Sequence, residues 1–254
     1  GNANWTLISD FTMGMYTGID VGLDSKPEFG DLDNDVDMDL IVGQSDGTLN
    51  YFQNTGSANQ AAWAASVKLQ SGGNNINLGG PCVPELVDLD DDGDLDLVIG
   101  EGWGEMSFYN NTGNVNNPIW TYWGKLNQSK VAIDKGGFCA PSLADLDGDG
   151  DFDLTIGDWL GSLFYFENTG SATYPTWKEN NTMYNNINLL PNSVYVVPEL
   201  GDLDDDGDFD LLVGEDHGLM FYFENIGDPS EPNWSKEAEM FTDVNVTTWA
   251  APAL

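Results

Sequence analysis

Residues 145–170 read DLDGDGDFDLTIGDWLGSLFYFENTG, and the same arrangement of residues recurs through most of the chain. The aspartates that open the four copies are spaced evenly (88 − 31 = 57, and likewise for the next two), without insertion or deletion. They are Asp31, Asp88, Asp145 and Asp202. An uninterrupted internal repeat of this length predicts a modular architecture in which each unit packs against its neighbours.

The pattern within each unit is typical of β-structure. A short apolar run such as Leu154-Thr155-Ile156 follows the aspartates, and a glycine-containing turn leads to an aromatic run such as Leu163-Phe164-Tyr165-Phe166. Short runs rich in branched and aromatic residues favour buried strands over helices. We expect two more strands, from a tryptophan-led segment and from the stretch before the next proline. This predicts an all-β fold, a β-propeller of four-stranded antiparallel blades.

The repeat predicts that the whole chain is a single domain built of repeated units. Residues 1–30 form a half unit, and four units follow at 31–87, 88–144, 145–201 and 202–254, the last of which ends in mid-repeat. Two explanations fit this count. Either the chain is a segment of a longer array, which we favour, or a neighbouring molecule supplies the missing half. Like repeats of the same or a neighbouring chain are therefore the expected partners.

Composition narrows the classes of partner. Seven basic residues stand against 43 acidic ones among 254 residues, a net charge of −36. Nucleic acid and anionic membrane surfaces both require clustered cations, so neither is an expected partner. The sequence has no apolar run of the roughly 18 residues that a membrane span needs. At 41% hydrophobic residues, it can nevertheless build a substantial core.

The nine-residue aspartate loops predict metal sites. Each places carboxylates at positions 1, 3, 5, 7 and 9, which repel one another unless a cation is present. Calcium takes six to eight oxygen ligands, and alternating aspartates in a tight loop can converge on it. Magnesium prefers fewer protein ligands, and zinc lacks its usual histidine and cysteine. We expect about four Ca²⁺ ions, one for each loop.

Position 6 of the loop distinguishes the first unit from the others. Gly93, Gly150 and Gly207 permit a sharp turn there, whereas the first unit has Val36. A branched side chain resists positive φ. The sequence therefore predicts a weaker or differently shaped first site.

These motifs resemble a known family. The pattern P-x-L-x-D-L-D-x-D-G-D-x-D-L-x-x-G, followed by an aromatic strand and N-T-G, is similar to the FG-GAP/VCBS repeat of integrin α-subunit heads and many secreted microbial proteins. The resemblance implies a propeller with one calcium ion on a hairpin loop of each blade. The implied carboxylate ligands are Asp31, Asp33, Asp35, Asp39, Asp88, Asp90, Asp92, Asp96, Asp145, Asp147, Asp149, Asp153, Asp202, Asp204, Asp206 and Asp210. Main-chain carbonyls of Asp37, Asp94, Asp151 and Asp208 would complete the sites.

Several features favour an extracellular or cell-surface location. Calcium sites fill at extracellular rather than cytosolic concentrations. Glycosylation sequons begin at Asn4, Asn110, Asn127, Asn180, Asn233 and Asn245. Cys82 and Cys139 occupy equivalent places in adjacent units (139 − 82 = 57). They are either close enough for a disulfide or small buried residues.

No nucleophile elbow, phosphate loop or Cys–His arrangement occurs, so we expect a non-enzymatic protein. A structural or adhesive module, in a longer array or filament, is the first functional hypothesis. The alternative is carbohydrate binding, with glycans as partners. Aromatic residues that break the repeat are its candidates: Trp103 and Trp159 for stacking, with Trp123 and Trp249 as further cases. The competing use of these rings is packing between blades.

Overall fold

The computed structural model describes residue 19 and residues 21–189, 192–237 and 250–253. These residues form twenty strands and contain no helix, so none of them lies in a helix that could span a membrane. The strands are β1 Lys26–Gly30, β2 Asp39–Gly43, β3 Leu49–Phe52, β4 Val67–Lys68, β5 Gln70–Ser71, β6 Asn74–Asn75, β7 Cys82–Val87, β8 Asp96–Glu101, β9 Met106–Asn111, β10 Trp120–Lys125, β11 Asn127–Gln128, β12 Val131–Ala132, β13 Cys139–Ala144, β14 Asp153–Asp158, β15 Leu163–Asn168, β16 Trp177–Glu179, β17 Val197–Gly201, β18 Asp210–Gly214, β19 Met220–Asn225 and β20 Trp234–Glu237.

Four antiparallel sheets form the blades. Their strand orders are β1-β2-β3-β4, β7-β8-β9-β10, β13-β14-β15-β16 and β17-β18-β19-β20. The hairpin β5–β6 extends the second blade through a single parallel pairing of Ser71 with Trp120. The blades are arranged as in a four-bladed β-propeller, which confirms the predicted all-β class and the blade topology.

The second strand of each blade lies deepest. All residues of β8 and β14 are buried, as are all residues of β2 and β18. A strand covered on both faces needs apolar side chains at successive positions rather than in alternation. The short branched runs after the aspartate loops meet this requirement, which explains why they form central strands.

Close backbone contact joins one blade to the next. A Cβ added to Gly100 would lie 2.0 Å from the carbonyl oxygen of Cys139, in the first strand of the following blade. Gly157 approaches the Val196 carbonyl in the same way. Ala250 presents its carbonyl to Gly214, so residues 250–253 lie beside the fourth blade where the first strand of a next blade would pack.

The first strands of the blades face a common axis. Carboxylate oxygens of Glu28, Glu85 and Glu199, at equivalent positions in the first, second and fourth blades, lie within 4.8 Å of one another. Ser142 holds that position in the third blade. Three hydrogen bonds each join one of these residues to the next blade. The Glu28 carboxylate accepts from the Leu86 amide (3.2 Å), and the Glu85 carboxylate accepts from the Leu143 amide (2.9 Å). The Ser142 hydroxyl oxygen accepts from the Leu200 amide (3.1 Å). Blades one and four therefore meet at the axis.

The blades are offset by one strand from the sequence units. Each aspartate loop connects the first and second strands of a blade, so a blade starts in the preceding sequence unit. Residues 26–30 complete the first blade, and the chain supplies four four-stranded blades without a strand from a neighbouring molecule. Each sequence unit, counted from its loop, is therefore divided between two blades.

The axial carboxyl groups predict a pH-dependent stability. Burial, and then the charges of Glu28 and Glu199, raises the pKa of Glu85 well above its usual value. A raised pKa in the folded state means that stability is retained at low pH and falls as pH rises above the unfolded value of about 4.5. Glu85→Gln keeps an acceptor for the Leu143 amide but cannot ionise. We expect it to stabilise the protein by about 1–3 kcal/mol at pH 8 and hardly at all at pH 4.

The measurement is the free energy of unfolding of both proteins at each pH in constant calcium, with the exposed substitution Glu231→Gln as the control. A difference between Glu85→Gln and the parent protein that does not grow with pH would contradict the assignment.

Candidate metal centres

Main-chain hydrogen bonds to the first aspartate shape each loop. In the third blade, between β13 and β14, the Asp145 carboxylate accepts from the amides of Gly148 (2.8 Å) and Gly150 (3.0 Å). Asp149 then accepts from the Asp151 amide at 3.1 Å. The other three loops repeat this pattern at their first and fifth positions. The alternating aspartates therefore stabilise the backbone conformation of the loop in addition to giving it a negative charge.

Two left-handed backbone positions recur in every loop. Position 4 has φ of 58° to 74° and is occupied by residues that tolerate this region, namely Asn34, Asp91, Gly148 and Asp205. Position 6 has φ of 93° to 98° at its three glycines and 75° at Val36. The first loop is thus not differently shaped at this point. Instead, the valine adopts a conformation that is strained for a branched side chain.

The carboxylates of a loop converge. Ligand-capable oxygens of Asp145, Asp147 and Asp153 lie within 4.8 Å of one another. The same holds for two other loops: the sets are Asp31, Asp33 and Asp35 in the first and Asp88, Asp90 and Asp96 in the second. Three of the predicted ligands are brought together in each of these loops.

Unsatisfied oxygens show that the loops fit a cation. The Oδ1 atoms at position 7 are buried and have no hydrogen-bond partner in any of the four loops: Asp37, Asp94, Asp151 and Asp208. Position 3 adds Oδ1 of Asp33 and of Asp90. Burial, and then the neighbouring carboxylates, raises the pKa of Asp151 and of Asp208 to about 6. A hard divalent ion would pair these oxygens, and an all-oxygen donor set suits calcium.

Position 7 was predicted to contribute its main-chain carbonyl alone. The buried, unpaired carboxylate oxygen there makes the side chain a further candidate ligand. The alternation of aspartates in the sequence does not show whether position 7 offers its main-chain carbonyl oxygen or its side-chain carboxylate oxygen.

The aspartate at position 9 has a second task. The Asp153 carboxylate accepts from the amides of Leu146 (3.1 Å) and Asn168 (2.8 Å) and from the Tyr165 hydroxyl (2.6 Å). Asp210 makes the equivalent three bonds in the fourth blade. Burial raises the pKa of Asp153 to about 7 although these bonds lower it. This carboxylate therefore joins the metal loop to the third strand.

A polar residue on the third strand was missed. The side-chain amide of Gln53 donates to Asp33, and that of Asn110 donates to Asp90, in each case to the carboxylate at position 3. In the third and fourth units the same repeat position is a carboxylate, Glu167 or Glu224. The signal was present in the sequence, as a polar residue directly before the repeated Asn of each aromatic strand.

The two cysteines are free and buried. The Cys139 thiol donates to the Gly104 carbonyl at 3.0 Å, and Cys82 lies against the Gln44 and Thr48 carbonyls. The disulfide alternative is therefore wrong and the buried-thiol alternative is right. Each sulfur lies against a hairpin of the preceding blade, Cys82 against the β2–β3 hairpin and Cys139 against the β8–β9 hairpin.

The sequons differ in accessibility. Asn110 is 3% exposed and its amide is bonded to Asp90, so it is wrong as an acceptor in the folded protein. Asn127 and Asn233 are exposed and Asn180 is half-buried. Asn4 and Asn245 lie outside the described residues, as does Trp249.

From the sequence, Trp103 and Trp159 are candidates for ligand stacking, with packing between blades as the competing use. Trp103 is 69% exposed and lies over Gly80, and Trp159 is 45% exposed and lies over Gly137. Trp159 also contacts Tyr195 edge-on at 6.4 Å between ring centroids. Each ring thus covers the segment that enters the first strand of a blade, and Trp159 also reaches the entry to the next blade.

Comparison with known proteins agrees with this geometry. The model of the FG-GAP-like repeat family matches residues 31–99 and 88–156, which include three of the four aspartate loops. Residues 31–156 carry FG-GAP-like repeats. The FG-GAP part of the resemblance recognised in the sequence is thereby confirmed.

No curated protein matches the sequence, whereas several chains of solved structures are similar to it. One of these chains belongs to the Photorhabdus luminescens Tc holotoxin pore carrying the mutation TccC3-D651A. The two are 17% identical with a TM-score of 0.44, over 83% of this chain and 9% of that one. The present chain thus corresponds to less than a tenth of the toxin chain's length.

Strain at Val36 predicts a reciprocal pair of variants in the FG-GAP-like loops. Val36→Gly should tighten calcium binding at the first loop by about 1–2 kcal/mol, because glycine adopts positive φ without strain. Gly150→Val should weaken the third loop by a similar amount; nothing lies within 4 Å of a Cβ there, so the effect is confined to the backbone. Calorimetric titration with calcium measures both affinities. If the affinity of the weakest site is the same in Val36→Gly as in the parent protein, the prediction is wrong.

The third-strand residue predicts a difference in affinity among the loops. Glu167 adds a charge near Asp147, whose pKa is raised by burial and by carboxylates that include Glu167. Glu167→Gln should therefore weaken calcium binding at the third loop roughly tenfold, and Gln53→Glu should strengthen the first by a similar factor. Lanthanide luminescence or calorimetric titration reports the change. Equal affinities before and after both exchanges would show that this residue does not act on the ion.

Proposed function

We propose that this chain is an extracellular, calcium-stabilised, non-catalytic module with a structural or adhesive role. One observation carries the proposal. Every aspartate loop buries at least one carboxylate oxygen that has no hydrogen-bond partner. Such oxygens are costly in a folded protein unless a cation completes them.

The charge balance supports an environment rich in calcium. Four Ca²⁺ ions would change the net charge from −36 to −36 + 8 = −28, so the protein stays strongly acidic when the loops are filled. Oxygen-lined loops of this kind bind calcium over a wide range of affinity, and the weaker ones are filled only outside the cell. A fold that depends on calcium would then be stable at extracellular calcium concentrations.

The repeats support a structural or adhesive role more than a catalytic one. The closely spaced aspartates that could serve an acid–base mechanism are the candidate metal ligands of the loops. The single histidine, His217, lies in the β18–β19 turn beside Glu215, its Nδ1 2.6 Å from a carboxylate oxygen. Repeats of uniform geometry extend readily into longer arrays or filaments, so like repeats of the same or neighbouring chains are the proposed partners.

Carbohydrate binding is the second candidate function. Exposed aromatic rings that interrupt the repeat favour it, because packing of equivalent blades does not account for them.

Calcium removal should destabilise the protein strongly. A ligand present at 100 times its dissociation constant contributes about 2.7 kcal/mol for each site, so four sites predict a fall in Tm of about 20 °C or more on chelation. Thermal unfolding followed by circular dichroism in millimolar calcium, in chelator and in magnesium measures this. An identical Tm in calcium and chelator would contradict the proposal.

Light scattering on the same samples tests whether separate chains assemble into an array. Large assemblies that form in calcium and dissolve on chelation are the expected result. A stable monomer in calcium would argue against assembly of separate chains while leaving calcium stabilisation intact.

A further inference from the structure

Two equivalent clefts open between consecutive blades. One lies between the first and second blades, with a volume of about 570 Å³, and the other between the second and third, with about 310 Å³. Each is lined by the third residue of a metal loop (Asp33 and Asp90; 90 − 33 = 57) and by a segment of the following blade that ends in a tryptophan (Trp120 and Trp177). The repeat therefore builds the same cavity twice.

Aromatic side chains distinguish the second cleft from the first. Trp123 and Tyr174 line the cleft between the second and third blades. Their counterparts one unit earlier are Ser66 and Asn117 (123 − 57 and 174 − 57). Trp123 is 59% exposed and Tyr174 is 80% exposed. Burial in the core therefore does not explain why this cleft alone of the two has these large rings.

The ring of Trp123 and the backbone of Tyr174 are held in place. Trp123 packs edge-on against Phe108, with 5.9 Å between ring centroids and 88° between the planes. The Tyr174 amide donates to the Ser171 carbonyl at 3.0 Å in a closed turn, and Pro175 follows it. Positioned aromatic surfaces offer a large contact area at low cost in conformational entropy.

Polar groups line the same cleft. Asp90, Asn127 and Thr176 are among its lining residues. Asn127 and Thr176 are exposed and can bond a ligand, whereas the Asp90 carboxylate is a candidate ligand of the ion. The cleft thus combines apolar ring surfaces with a few hydrogen-bonding groups, the composition typical of small-ligand sites.

We propose that the cleft between the second and third blades binds an uncharged saccharide. A pyranose presents an apolar C–H face to an aromatic ring and hydroxyl groups at its edge, which match the rings of Trp123 and Tyr174 and the polar groups of the cleft. The net charge of −36 disfavours anionic sugars and nucleotides. The cation in the cleft, Lys125, is already paired with Glu101. The inference rests on the proposed function only in that filled calcium loops hold the cleft in shape.

The test is a titration in millimolar calcium with neutral methyl glycosides (glucose, galactose, mannose, N-acetylglucosamine), lactose and cellobiose, and with sialic acid as the anionic comparison. Saturation-transfer NMR detects binding and calorimetry measures it. At least one neutral sugar should bind and sialic acid should not. Trp123→Ala and Tyr174→Asn should each weaken that binding at least tenfold, whereas Trp103→Ala and Trp159→Ala should leave it unchanged.

The sister cleft provides a gain-of-function test that does not depend on loss of binding. The double substitution Ser66→Trp and Asn117→Tyr should raise the stoichiometry from one saccharide to two. Absence of binding by every neutral sugar, or full binding by both Trp123→Ala and Tyr174→Asn, would overturn the inference. Calcium-dependent Tm, recorded for each variant, separates the two proposals: a protein that calcium stabilises but that binds no sugar refutes the saccharide site alone.

Discussion

Electrostatic repulsion among the loop carboxylates is the constraint on which the rest of this structure depends. Five aspartates alternate within nine residues, and burial adds to the cost of charging them. Main-chain amides donate to the carboxylates at positions 1 and 5, but each loop retains at least one buried carboxylate oxygen without a hydrogen-bond partner. Such a loop is stable if some of its carboxyl groups hold protons or if a cation binds. With no arginine and few lysines, the chain has no residue of its own in these loops that could supply the positive charge.

The same loops are mechanically connected to the blades. In the third and fourth blades, the ninth aspartate accepts hydrogen bonds from the second loop residue, from a tyrosine of the third strand and from the amide of the repeated Asn. Whatever fixes this carboxylate also fixes the register of the first, second and third strands. Ion binding at the loop and packing of the blade are therefore expected to be one cooperative unit rather than independent events. This coupling explains how a surface loop can control the stability of a whole domain.

Much of this architecture could be predicted because the repeat constrains it. The strands, the turns and the aspartate loops each recur four times, and a recurring pattern exposes which residues face the core. What escaped prediction depends on contacts between units. The offset of the blades, the separation of Cys82 from Cys139 and the contact of Gln53 with Asp33 all join residues distant in the chain. The buried position of Asn110 has the same origin, since its sequon gives no hint of the carboxylate that its amide meets.

Departures from the repeat are where specific function is to be sought. Four equivalent blades need equivalent core residues, so the repeated positions are determined by packing and by the conformation of the aspartate loops. A side chain that appears in one unit alone is released from that requirement. Lys26 and Ser142 show that some departures adjust the buried first strands, where burial lowers the pKa of the lysine to about 8. Trp123 and Tyr174 differ because they are exposed, line one cleft from two successive blades and lie beside a metal loop. Their location converts one of two equivalent clefts into a distinct surface, as recognition of a ligand by a symmetric scaffold requires.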